Sequence, residues 1–153
     1  VIHSGVSREL ADGRYAERRG ECLAAAEAIG VDELCKGDLA AASALPAPLA
    51  SRARHVISED VRTRGAVAHL KSGDRAALGA ARNVGHASIR DDFEITTPEV
   101  DALVADAVAL GADGARQTGG GFGGCIVAVL DPAKVDTWWP ALQARHPKAR
   151  LIV

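Results

Sequence analysis

Gly114-Ala115-Arg116-Gln117-Thr118-Gly119-Gly120-Gly121-Phe122-Gly123-Gly124 runs directly into Cys125-Ile126-Val127-Ala128-Val129-Leu130. Five of the six residues from Gly119 to Gly124 are glycine. Such a run loses more conformational entropy on ordering than any other composition, so the fold must compensate for it. The apolar run that follows reads as a buried strand, with β-branched side chains from Ile126, Val127 and Val129. Gly114–Thr118 reads as its partner. A simple hairpin needs glycine at only one or two positive-φ positions. The surplus points to a backbone packed against a ligand or another loop, whose free N–H groups can form an anion-binding nest. The loop is not a Walker A motif, because no Gly-Lys-Ser/Thr follows. It is not a dinucleotide fingerprint, because the glycines lead into a strand and not a helix.

Working outward, Thr96-Thr97-Pro98-Glu99 opens the preceding helix, either with Thr97 as cap and Pro98 in the first turn or with Thr96 and Glu99 as a capping box. Val100, Leu103, Val104, Ala107 and Val108 give that helix an apolar stripe, and Gly111 ends it. Upstream, Asp74 caps a helix that runs to about Ile89, with Leu78, Ala81, Gly85 and Ile89 on one side. Gly85 in that face would let a neighbouring helix come close. The stretch from Ser51 to Lys71 reads as a helix facing inward through Ile57, Val61, Arg64 and Ala68, with Val56, Val67 and Leu70 beside them. Arg52, Arg54, Glu59, Asp60, Arg62 and Arg64 then make a mixed-charge outer surface. A further helix is expected from Ser7 to Ile29, stopped by Gly30. Between them Leu34, Leu39 and Leu45 anchor at most a short helix, ended by Pro46 and Pro48. Val1–Val6 reads as a strand. Downstream of the hairpin, Asp131-Pro132 starts a helix facing inward through Val135, Trp138, Trp139 and Leu142. Pro140 should kink it, and Ala149–Val153 closes as a strand. The order predicts an α+β fold: an antiparallel sheet packed by helices.

The chain of 153 residues is enough for one domain with a core, and only 3% of it is aromatic, so that core is aliphatic and alanine-rich. A net charge of −2 without a basic block argues against a nucleic-acid surface. No apolar run approaches a membrane span, and no signal-peptide pattern opens the chain. Cys22, Cys35 and Cys125 form no zinc or disulfide pattern and fit a reducing cytoplasm. The chain holds no methionine and opens on what reads as a strand in progress, so a piece of something longer is expected.

Several chemical readings compete with plainer ones. Tyr15 alone reads as a packing residue near a helix start. Arg18 and Arg19 point about 100° apart on a helix and read as solvated or salt-bridging. His55 has no second ligand at metal spacing and reads as packing. Asp91, Asp92 and Glu94 read as caps or solvated loop acids, not as a magnesium site.

Gly114–Cys125 resembles the third signature motif of galactokinases, members of the GHMP group of small-molecule kinases, which usually carry methionine at position 117. Tyr15-Ala16-Glu17-Arg18-Arg19-Gly20-Glu21-Cys22, Arg54–Glu59 and Asn83–Thr96 resemble the same family, which usually has serine at position 85. The resemblance covers nearly the whole chain, in the order of the family's C-terminal half. It implies a GHMP-kinase C-terminal domain of ferredoxin-like type over residues 1–153, with residues 1–6 the last strand of, or link to, a preceding domain. It implies that Tyr15 contacts the sugar. Thr118, Gly119, Gly120, Gly121, Phe122, Gly123 and Gly124 would support the phosphate loop of that preceding domain or line the site with N–H groups. The implied reaction transfers phosphate from ATP, with Mg2+, to the anomeric hydroxyl of galactose. The family's sugar-recognition motif, serine-rich ATP loop and catalytic aspartate are absent from this sequence. No catalytic residue and no metal ligand is therefore assigned here, and the magnesium ligands are expected in the other half. A non-catalytic sugar sensor, which the C-terminal half alone does not separate from the enzyme, and a related sugar kinase are alternatives; the Tyr15 and Arg90–Asp92 segments favour galactose among the kinases. A free-standing α+β interaction module is a further alternative.

Overall fold

A computed structural model describes residues 1–7 and 13–153. In chain order the elements are β1 (Ile2–His3), α1 (Arg14–Ile29), a 3₁₀ turn (Leu34–Lys36), α2 (Leu39–Ser43) and α3 (Leu49–Ser72). There follow α4 (Arg75–Ser88), a π-helical turn (Ile89–Phe93), α5 (Pro98–Ala109), β2 (Gly114–Thr118), β3 (Cys125–Val129), a second 3₁₀ turn (Pro132–Lys134), α6 (Val135–Arg145) and β4 (Arg150–Leu151). The sheet order is β2-β3-β1-β4, antiparallel throughout. That is the ferredoxin-like arrangement, with the helices α1–α5 inserted between the first two strands. Ile2–His3, read from sequence as the last strand of a preceding domain or a link to it, lies inside this sheet between β3 and β4.

One sheet face carries the main core. Ile2, Ala115 and Ile126 meet Val100, Leu103, Val104 and Ala107 of α5 and Trp138 and Leu142 of α6. The Trp138 indole N–H donates to the Ala107 carbonyl at 3.0 Å, so its polar edge is satisfied within the core. The caps read from sequence are present: Thr97 accepts from the Val100 N–H, and Asp74 accepts from the Ala77 N–H. Gly30 closes α1 in the left-handed region.

Strand β2 is an edge strand, and α4 covers it. Asn83 Oδ1 accepts from the Ala115 N–H at 3.0 Å and His86 Nδ1 from the Gln117 N–H at 3.3 Å, which satisfies the donors the edge leaves open. The close approach needs glycine, since a Cβ on Gly79 would come within 2.5 Å of the Asp113 backbone.

Several expectations need correction. Helix α1 starts at Arg14, with Gly13 before it, and Ser7 is not helical; residues 8–12 of the expected Ser7–Ile29 helix lie outside the described residues. The buried residues of α3 are Arg52, Ala53, His55, Ile57 and Ala66, while Val61, Val67 and Leu70 are exposed. Apolar periodicity missed this face because two of its five buried side chains are polar and held by partners. Arg52, placed on the outer surface by its charge, is buried and paired with Glu21 and Glu94. Asp131-Pro132 opens a 3₁₀ turn before α6, and α6 runs on through Pro140. The closing strand is short, Arg150–Leu151 within the expected Ala149–Val153.

Candidate functional site

The glycine loop is locked against two other segments. The Phe122 N–H donates to the Ile95 carbonyl at 2.6 Å, and the Gly124 N–H donates to the Val6 carbonyl at 3.0 Å. Gly119, Gly121, Gly123 and Gly124 all have positive φ, and Phe122 adopts φ 57°. A Cβ on Gly121 would lie 2.6 Å from Ile95 Cβ, and one on Gly123 would lie 2.9 Å from the Val6 carbonyl oxygen. Close packing against other loops therefore accounts for the glycines at 121 and 123. The N–H groups of Phe122 and Gly124 are committed to these carbonyls, so they are not part of an anion nest.

The π-helical turn after α4 ties this loop to α1. Its last carbonyls receive guanidinium donors: Arg18 Nε to the Phe93 carbonyl at 3.0 Å, and Arg52 Nη1 to the Asp92 carbonyl at 2.6 Å. Those donors satisfy acceptors a helix end would otherwise leave open. Glu94, at φ 55°, then turns the chain so that Ile95 reaches the glycine loop. Ile89, Ile95 and Phe122 bury one another, with Phe93 packed beside them. The Arg14 guanidinium lies 4.2 Å above the Phe122 ring.

The result is one cleft of about 580 Å³ that Tyr15, Thr118, Gly119 and Gly120 line together. Of the residues singled out from sequence, these four meet there. Phe122 and Gly123 lie buried behind them with Gly121, and Gly124 is half-buried. Tyr15 leaves 58% of its surface exposed, so its phenol is presented rather than packed away.

The rest of the lining was not legible as a site. Glu59 of α3, Arg82 of α4 and Arg116 of β2 belong to it, with His55 and Phe93. Arg116 Nη1 pairs with Glu59, and Arg62 Nε donates to Glu59 at 2.9 Å. Burial works to raise the Glu59 carboxyl, yet the hydrogen bonds from Arg116 and Arg62 hold it below the usual carboxylate range. Gly85 makes room for this pair, since a Cβ there would lie 2.9 Å from Arg116 Nη1. The one sequence signal was Arg116 itself, a charge between the buried Ala115 and Gln117 of β2.

His55 packs as expected: its ring stacks on Phe93 with centroids 4.6 Å apart, and Nδ1 lies 2.9 Å from Ser88 Oγ. Burial pushes its pKa down to about 4. Arg18 is a salt-bridging residue, bound to Glu21. Asp91, Asp92 and Glu94 pair with Arg90, Arg54 and Arg52 respectively. Among the described residues no three His, Cys, Asp or Glu side chains are grouped to hold a metal ion. No helix of the described residues is long and apolar enough to cross a membrane.

Comparison with known proteins places this architecture. The family described as GHMP kinases C terminal matches residues 66–148, more than half of the chain. The chain is 46% identical over 145 residues to a galactokinase of Mannheimia succiniciproducens, an alignment covering 89% of this chain and 38% of the relative. It is 41% identical over 157 residues to a galactokinase of Streptomyces coelicolor, covering 99% of this chain and 41% of the relative. The crystal structure of Lactococcus lactis galactokinase complexed with galactose superposes with a TM-score of 0.89 at 29% identity, over 97% of this chain and 42% of that one. The chain thus spans about two fifths of the length of the curated relatives it matches. A family match across α4, α5 and the whole hairpin, with a fold superposing this closely, makes the chain a member of the GHMP kinase C-terminal family.

Proposed function

We propose that this chain is the C-terminal part of a galactokinase and forms one wall of its sugar and nucleotide cleft. The enzyme would transfer a phosphoryl group from ATP to the anomeric hydroxyl of galactose, giving galactose 1-phosphate. The observation that carries the reading is the meeting of Tyr15 with Gly119 and Gly120 on one cleft, from opposite ends of the sequence. Tyr15 contacts the sugar: its phenol donates and accepts a hydrogen bond while the ring covers apolar atoms. The Thr118–Gly124 loop, pinned by Ile95 and Val6, is a rigid shelf. It supports the phosphate loop of a preceding domain or lines the site with N–H groups. Phosphoryl transfer is mainly positioning plus charge neutralisation, and this chain supplies positioning.

No catalytic residue is assigned to this chain. Its acids near the cleft are occupied by arginines, so ATP phosphates and Mg2+ are held by the preceding domain in this reading. The cytoplasm, where ATP and sugar meet, is the compartment this reading implies.

A chimera tests the proposal. Residues 1–153 replace the matched C-terminal part of the Mannheimia succiniciproducens galactokinase, and galactose-dependent ADP release is measured. Turnover is expected, with Tyr15→Phe lowering kcat/KM about tenfold or more and leaving the melting temperature unchanged. Residues 1–153 alone should release no ADP. A folded chimera that leaves galactose untouched would sink the reading, and turnover by residues 1–153 alone would overturn its one-wall part.

A further inference from the structure

Helix α4 stands where a further strand would pair with β2, and two of its side chains take that strand's place. Asn83 accepts from the Ala115 N–H and donates through Nδ2 to the Asp113 carbonyl at 3.3 Å. His86, three residues on and so on the same helix face, takes the next outward N–H, that of Gln117. An amide such as Asn83 accepts and donates at once. An imidazole accepts only through a nitrogen that carries no proton. The bond to Gln117 therefore requires one tautomer, with Nδ1 unprotonated and the proton on Nε2.

Asp101 stands where that tautomer would be selected. His86 Nε2 lies 3.1 Å from Asp101 Oδ1 in a close but bent contact, and neither atom has another partner among the described residues. A carboxylate accepts and does not donate, so it favours the ring with its proton on Nε2. Asp101 is itself held: it belongs to the first turn of α5, and its Oδ2 accepts from Thr96 Oγ1 at 3.1 Å. The His86 side chain is buried, and burial lowers its pKa against the pull of Asp101, with Arg90 and Arg116 acting in the same direction as burial. The ring is thus neutral at neutral pH and keeps its acceptor.

These contacts reach the glycine loop from two sides. On one side His86 holds the Gln117 backbone, and the Gln117 side chain holds the Gly123 carbonyl. On the other, Thr96 bonds to Asp101 and follows Ile95, whose carbonyl accepts from the Phe122 N–H. Asp101 is where the two sides meet. A histidine that only filled space would need neither a fixed tautomer nor an acid at its far nitrogen. We infer that His86, oriented by Asp101, is a positioning residue for the cleft: it fixes Gln117, and with it the Thr118–Gly124 shelf. The effect on turnover rests on the galactokinase reading above; the tautomer and the loop tether do not.

Imidazole ¹⁵N spectra of the full chain at neutral pH report the His86 tautomer without any substitution, and Nε2–H is expected. Asp101→Asn then tests the orientation. Its amide oxygen still serves Thr96, while its N–H faces His86 Nε2 and favours the opposite tautomer, the error that the same change causes in a Ser-His-Asp triad. A protonated Nδ1 would oppose the Gln117 N–H. Hydrogen exchange at Gln117 and at Gly119–Gly124 should speed up about tenfold or more, with α6 unchanged. His86→Gln, whose amide reaches the place of Nε2 and not of Nδ1, should release the loop likewise and serves if Asp101→Asn is unfolded. His86→Asn puts an oxygen near the place of Nδ1 and needs no tautomer, so it should keep most of the protection. In that background Asp101→Asn should have no further effect on the loop. In an active chimera Asp101→Asn should lower kcat about tenfold and leave KM for galactose within about twofold, because Tyr15 lies outside this network. A protonated Nδ1 in the unaltered chain, unchanged Gln117 exchange in Asp101→Asn, an equal loop effect with and without His86→Asn, or an unchanged kcat would each overturn the inference. A folded chimera inactive on galactose removes the galactokinase reading and leaves the spectra and the exchange rates to decide this one.

Discussion

Gln117 Nε2 donates a hydrogen bond of 2.9 Å to the carbonyl of Gly123, from a side chain that is 1% exposed. The amide on the last buried position of β2 thereby holds the far end of the glycine loop. Donation to a carbonyl fixes the orientation of the amide and leaves Oε1 without a partner. Methionine, the residue that galactokinases usually carry at this position, could fill the same space but could not make this bond.

Gln117→Met should therefore change global stability little, within about 1 kcal/mol, since the lost hydrogen bond is offset by removal of a buried unpartnered oxygen. The glycine loop should loosen instead. Hydrogen exchange is expected to speed up at Gly119–Gly124 and to stay unchanged in α5. Equal protection of the loop in both proteins would show that the tether is idle.

Gly121 and Gly65 should respond in opposite directions to alanine. At Gly121, φ is +84° and a Cβ would lie 2.8 Å from the Ile95 carbonyl, so Gly121→Ala is expected to destabilise by about 2–4 kcal/mol. Gly65 lies within α3 with nothing near its missing Cβ, so Gly65→Ala should stabilise by up to about 1 kcal/mol. Urea unfolding midpoints measure both.

Arg52 and Arg64 separate a buried ion pair from an exposed one. The Arg52 side chain is 3% exposed and bridges Glu21 and Glu94 at 2.7 Å each. Arg52→Met should destabilise by about 3 kcal/mol, because Glu21 is left poorly solvated and the Asp92 carbonyl loses its donor. Arg64, 78% exposed beside Asp60, should leave the unfolding midpoint unchanged when changed to methionine.

Stability should fall with acid through His55. Burial lowers its pKa from 6.5 to about 4, so between those values the unfolded chain binds the proton and the folded chain does not. Its contribution is complete above pH 6.5, is lost as pH falls, and levels off near pH 4; the full shift corresponds to about 3 kcal/mol. His86, also lowered by burial, adds to the trend. Unfolding free energies measured from pH 7 to pH 4 should decline more shallowly for His55→Gln than for the unaltered protein.

Much of the fold was legible. Thr97, Asp74 and Gly30 announce their helix ends by side-chain or backbone chemistry that acts within three or four residues. The hairpin was legible from its β-branched apolar run and its glycines. The buried face of α3 was not, because Arg52 and His55 take core positions on the strength of partners far along the chain: Glu21, Glu94, Ser88 and Phe93. Within the cleft, Tyr15 and the glycine loop could be named from their motifs, whereas Glu59 read as an outer-surface charge and no local pattern joined it to Arg82 and Arg116.

By itself the sequence determined local structure: where helices start and stop, which run is the hairpin, and which loop has too much glycine to be only a turn. These follow from φ preferences, capping and periodicity, all short-range properties. The tertiary structure alone decided that α1 and the glycine loop share a cleft, joined through Phe93 and Ile95, and that three arginines gather there around one glutamate. Charges separated by tens of residues acquire an energy only when the chain brings them out of water together, and no local pattern encodes that meeting.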